Sequence, residues 1–175
     1  CEMEPHVQRP LPEDCQTTLN QVASYELHAS DAYLSMACYY NEEMGIPPFA
    51  RFFREQADMK REHAKQFLRY LRKYEGIVCL PVIKRPDIDN WGSSIQALEA
   101  AVQLENMLSK ALQNLKILVC EKSETHLSGF VEEVLDKQVK NIEYLEYHLV
   151  YQKELEELVQ QEGLFMKPSE QSDEK

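Results

Sequence analysis

Glycine and proline are missing from four long stretches of this chain, and that constrains the fold more than any motif does. The sequence has only five glycines in 175 residues. Uninterrupted stretches of good helix formers, separated by short breaks, are the outline of an all-α four-helix bundle. The first helix is predicted from Glu13 to about Asn41, with Pro12 and Asp14 at its entrance, where a proline and an early acid belong. The second starts near Pro47 and Pro48 and runs to about Tyr74, with Gly76 just beyond as its stop. The third starts at Ser93 and Ser94, where Ser93 and Gln96 match a capping box, and continues to about Cys120. The fourth runs from about Thr125 to near Gln160, tolerating Gly129. Residues 1–12 form a flexible arm, 13–160 the bundle and 161–175 a polar tail.

Helical spacing places Leu27, Leu34 and Cys38 on one face of the first helix. Phe49, Phe52, Phe53 and Gln56 share a face of the second. Each helix approaches thirty residues, about 40 Å at the α-helical rise. The breaks after the first and third helices are short, which favours antiparallel neighbours. The stretch IVCLPVIKRPDIDNWG, with Pro81 and Pro86, cannot be helical through its prolines. It is about eighteen residues long, enough to cross the bundle lengthwise and leave the second and third helices parallel.

Charge excludes several classes of partner. Nineteen Lys and Arg face thirty Asp and Glu, a net −11, so neither nucleic acid nor an anionic membrane suits this surface, whereas metal cations do. No apolar run is long enough to cross a membrane. No secretory signal is visible in CEMEPHVQRP. Five widely spaced cysteines without a CxxC read as reduced thiols in a cytoplasmic setting.

Several polar residues sit where a core is expected. A di-iron carboxylate bundle takes one Glu from each of two helices and a Glu-x-x-His pair from each of the others. Carboxylate oxygens suit hard iron, imidazole adds a borderline donor, and bridging acids hold the two cations close. Glu26 lies mid-helix in SYELHASDAYL, with Tyr33 two turns along the same face. His63 lies in the second helix, Glu105 in AVQLENML of the third, and Gln138 in LDKQVKNIEYL of the fourth. Taken singly, a mid-helix Glu is normally a solvated face, a lone His structural, and a Tyr a core aromatic with its hydroxyl satisfied. Their joint placement, one per helix at similar depth, points to an ancestral metal site. One position breaks the template: three residues before His63 stands Lys60, where the bridging acid belongs.

The segments ELHASDAYLSMACYY, PFARFFREQADMKREHAKQFLRYL, IKRPDIDNWGSSIQALEAAVQLE and LDKQVKNIEYL resemble animal ferritin, in order and spacing, over about Leu19 to Leu149. The resemblance implies a long four-helix bundle with a lengthwise crossover, assembled as a hollow cage that stores ferric iron. It implies that Glu26, His63, Glu105 and Gln138 stand at heavy-chain ferroxidase ligand positions and Tyr33 at the neighbouring tyrosine. Lys60 departs from the heavy chain and matches the vertebrate light chain, which lacks ferroxidase activity. Glu55, Asp58 and Glu62 match three acids of the light chain's mineral-nucleating patch, and Met59 replaces the fourth. In charge terms, an ammonium between buried Glu26 and Glu105 relieves their repulsion and repels Fe²⁺, leaving a salt-bridged remnant.

Two further departures concern the shell. The chain is one residue short between His126 and Gln138, so either Glu132 or Val131 takes the place of a threefold channel acid. The glycine turn into a short fifth helix is lost, and YQKELEELVQQEGLFMKPSEQSDEK reads as a longer fourth helix and a tail, with GLFM a vestige. The expected function is a light-chain-like storage subunit, assembling with itself or with active subunits, nucleating mineral without oxidising iron. One alternative is a ferroxidase with a single residual iron site. Another is a structural or chaperone-like assembly without mineral.

Overall fold

The computed structural model describes residues 11–40, 47–81, 83, 91–121 and 125–165. Four α-helices and no strand occur among them: α1 (Glu13–Tyr39), α2 (Ala50–Lys73), α3 (Ser94–Glu121) and α4 (Thr125–Phe165). The arm before Leu11, the centre of the crossover with Pro86, the break at 122–124 and the tail after Phe165 lie outside the described residues.

The helix ends follow from local chemistry. Glu13 and Asp14 lie in the first turn of α1, against the positive end of its dipole. At α3 the capping box closes: the Gln96 amide donates to Ser93 Oγ at 3.3 Å and the Ser93 amide to Gln96 Oε1 at 3.1 Å. At the end of α2 the Gly76 amide donates to the Leu71 carbonyl at 2.8 Å. The left-handed residue of this stop is Glu75, with φ 57°, not the expected Gly76. Gly76 is needed for a different reason: a Cβ there would lie 2.5 Å from Leu71 Cδ1. The fourth helix runs five residues past its expected end, through Gly163, because nothing from Thr125 to Phe165 breaks it. Gly129 and Gly163 stand in open space, and each costs such a helix only about 1 kcal/mol relative to alanine.

α1 packs on α2 and α3 on α4, and α1 against α3 joins the two pairs. Hydrogen bonds trace the start and end of the crossover along α1. Asn20 donates to the Ile77 carbonyl at 2.9 Å and accepts from the Cys79 amide at 2.9 Å. Ser24 donates to the Pro81 carbonyl at 3.0 Å, and Trp91 Nε1 donates to Ser35 Oγ at 2.9 Å. The segment thus leaves one end of the bundle and arrives at the other, which makes α2 and α3 parallel.

The core-facing stripe of α1 is not the one the spacing suggested. Leu34 is 54% exposed, Cys38 is exposed and Leu27 half-buried. Val22, Glu26, Ala29, Tyr33 and Met36 are buried instead. α1 has apolar residues on more than one face, and the face that carries Leu19, Val22, Ala29, Tyr33 and Met36 is the one that meets its neighbours.

The interior is split in two. One apolar cluster gathers Leu19, Phe67, Leu71, Leu115 and Val131 towards the end where α1 begins. A second gathers Met36, Phe49, Phe53, Leu98 and Leu145 towards the other. Between them lies a belt of buried polar groups: Glu26, Ser30, Lys60, His63, Glu105 and Gln138.

Candidate metal centre

Each helix contributes to the belt at its middle, so four chains of backbone hydrogen bonds hold the side chains in a dry interior. Glu26, Lys60 and Glu105 are fully buried, Gln138 is 1% exposed and His63 6%. The structure brings all five together, with Tyr33 above them.

Lys60 and Glu105 form one half. The Lys60 ammonium donates to Glu105 Oε2 at 2.9 Å and also to Gln138 Oε1. The Tyr33 hydroxyl donates to Glu105 Oε1 at 2.6 Å. Gln138 Nε2 donates to the backbone carbonyl of Glu105 at 3.1 Å. Both carboxylate oxygens of Glu105 are therefore engaged. Burial, then the Glu105 charge and this hydrogen bond, hold the Tyr33 hydroxyl well above its ordinary range.

Glu26 and His63 form the other half. His63 Nδ1 lies 3.8 Å from Glu26 Oε1, too far for a hydrogen bond. Neither Glu26 oxygen and neither His63 ring nitrogen has a hydrogen-bond partner among the described residues. Burial pushes Glu26 up to about 8, against a smaller downward pull from Lys60 and a further rise from Glu105. Burial and the nearby ammonium groups of Lys60 and Lys137 push His63 down to about 4. Near neutral pH this half is a carboxylic acid beside an uncharged imidazole. Lys60 pairs directly with Glu105 and acts on Glu26 through its charge without a hydrogen bond, and burial keeps the proton on Glu26.

The donor set meets iron unevenly. On the Glu105 side, the lysine occupies the space and the lone pairs a cation needs. On the Glu26 side, the carboxyl and imidazole atoms have no hydrogen-bond partner among the described residues and are the donors left for a guest. Among the described residues no group of three His, Cys, Asp or Glu is arranged to hold a metal ion.

Glu55, Asp58 and Glu62 are exposed along α2. Two carry cations already: Arg51 donates to Glu55 at 2.8 Å and Lys65 to Glu62 at 2.6 Å. Of the two candidates for a channel acid, Val131 is in the core, and Glu132 is exposed, 3.5 Å from Lys116. Sequence reasoning missed Ser30, whose buried hydroxyl donates to the Ala57 carbonyl at 2.6 Å and ties α1 to α2 beside the site. Its one-turn spacing from Glu26 was the available signal.

Comparison with known proteins agrees with this architecture. A family model described as Ferritin, a ferritin-like domain, matches residues 16–154. The chain is 33% identical to the ferritin lower subunit of Aquarana catesbeiana, covering 87% of this chain and 90% of that one. It is 39% identical to the ferritin middle subunit of the same species, over 74% of each. It is 35% identical to the oocyte isoform of the ferritin light chain of Xenopus laevis, over 78% of each.

Proposed function

This chain belongs to the ferritin family, and from that premise we propose that it is an iron-storage subunit whose own oxidation centre is closed by Lys60. The observation that carries the reading is the Lys60–Glu105 contact at 2.9 Å, with both partners fully buried. A buried ammonium there provides a fixed positive charge and blocks the donors that a pair of iron ions needs. Iron enters as cargo: subunits of the family type close a shell, and oxidation falls to co-assembled subunits with an intact centre. Exposed Glu55, Asp58 and Glu62 are the sites we assign to mineral nucleation. Their ion pairs with Arg51 and Lys65 are surface pairs worth little, and incoming ferric iron competes with them.

The test is stopped-flow oxidation of Fe²⁺ by the unmodified chain and by Lys60→Glu. The unmodified chain is expected to show no fast phase, and Lys60→Glu to gain one. Rapid oxidation by the unmodified chain overturns the proposal. Iron loading of mixed shells, followed by electron microscopy, checks storage separately.

A second reading has its own support. The four unpartnered polar atoms of Glu26 and His63 favour a residual site for a single iron ion. Titration of the unmodified chain with Fe²⁺ under anaerobic conditions tests it: saturable binding that disappears in Glu26→Gln and in His63→Ala supports a residual site, and no binding rules it out.

A further inference from the structure

Two surface features lie outside the buried belt. The first is the C-terminal extension of α4. From Lys153 to Gly163 every residue of that helix is exposed. Tyr147, Tyr151, Leu155 and Leu158 follow one another at four-, four- and three-residue steps, so they form one apolar stripe, between 38% and 68% exposed. The helical repeat puts Glu154 and Glu157 along one edge of the stripe and Glu162 within it. None of these three has an ion-pair partner among the described residues, whereas Lys153 is held 3.5 Å from Glu99. The extension is thus apolar and acidic on the same side.

The second is a groove of about 630 Å³ at the far end of α2, lined by Lys65, Leu68, Arg69, Arg72, Lys73 and Val78. In a chain of net −11, the exposed surface of α2 carries seven Lys and Arg against three acids. The groove has an apolar floor in Leu68 and Val78 and a cationic rim. The charge of Arg69 also acts on Glu62, about two turns back along α2.

We propose that the α4 extension of one copy docks into this α2 groove of a second copy. Polarity and charge are complementary: apolar stripe on apolar floor, glutamates on arginines. The two features cannot meet within one chain. The groove end of α2 adjoins the start of α4, where the Phe130 and Tyr70 rings stack with centroids 5.6 Å apart. From Phe130 to Leu155 is twenty-five residues of straight helix, about 37 Å. Two acidic extensions repel each other, so the basic groove and not a second extension is the favoured seat. The contact is head-to-tail, of the kind that closes into rings when repeated about an axis. It goes beyond the iron reading and stands or falls without it.

The experiment places the photo-crosslinker p-benzoylphenylalanine at Leu158 in the full chain and mixes copies of natural and heavy-isotope composition. The expected result is mixed-isotope cross-links from the extension to residues 65–78. Reversing Glu154, Glu157 and Glu162 to lysine abolishes them, and pairing that variant with Arg69→Glu, Arg72→Glu and Lys73→Glu copies restores them. Cross-links that run instead to another α4, or that persist through the reversal, overturn the proposal, as does failure of the reciprocal variant to restore them. Iron loading plays no part in the readout, so its outcome cannot be mistaken for that of the storage reading.

Discussion

Glu26→Gln tests whether the buried carboxyl of the belt takes up a proton on folding. Burial pushes Glu26 from 4.5 up to about 8 in the folded chain. The unfolded chain loses this proton near the ordinary value, so between those limits the folded state holds a proton that the unfolded state lacks. The stabilisation from that proton is fully present below pH 4.5 and is lost as pH rises towards 8. At about 1.4 kcal/mol per unit, the whole window amounts to roughly 5 kcal/mol at most. His63 slopes the other way, because burial pushes it from 6.5 down to about 4: its contribution is present above 6.5 and lost as pH falls towards 4. The two slopes oppose each other below pH 6.5, leaving Glu26 to act alone from 6.5 to 8. Over that interval the stability of the unmodified chain relative to Glu26→Gln falls by about 2 kcal/mol. Urea unfolding followed by circular dichroism, at half-unit pH steps, measures the difference directly. A difference that stays flat or rises with pH would refute the reasoning, since it would mean that Glu26 is ionised in the folded belt.

Lys60→Met leaves Glu105 buried without its cation and should cost about 3–5 kcal/mol, most of which the added change Glu105→Gln returns; a double-mutant cycle by urea unfolding measures the coupling. Asn20→Ala removes a donor from the Ile77 carbonyl and an acceptor from the Cys79 amide, so it should cost about 1–3 kcal/mol and speed hydrogen exchange at Cys79. Glu75→Gly relieves a left-handed residue at the α2 stop and should stabilise by about 1 kcal/mol, read as a rise in melting temperature.

Helices were legible in the sequence because their ends are written locally. Ser93 and Gln96 sit at the right separation for a capping box, and the box forms. The end of α2 was placed correctly, but the residue in the left-handed conformation was not: Gly76 was needed for its closeness to Leu71, and Glu75 takes the strained angle. Leu27, Leu34 and Cys38 misled because α1 is apolar on more than one side, and spacing alone does not tell which side meets a neighbour. The belt residues were legible as positions, since a helical repeat fixes where a side chain leaves the axis. Their pairing was legible in part: Lys60 was expected between Glu26 and Glu105, but a lysine reaches several partners from one backbone site. Only the packed structure shows Lys60 with Glu105 and Gln138.

That choice of partner determines what the belt can do. The Lys60–Glu105 pair is internally neutral and draws in Gln138 and Tyr33, so both carboxylate oxygens of Glu105 are engaged without a guest. Glu26 and His63 are neutral for a different reason: burial disfavours the charged form of each. The belt is therefore charge-balanced as it stands. A carboxylate at position 60 in place of the ammonium would shift the local charge by two units and leave three buried acids facing one another. Such a cluster is relieved either by cations among its oxygens or by retained protons, as at Glu26. One side chain thus sets the charge at the centre of this bundle, and here the side chain is a lysine paired with Glu105.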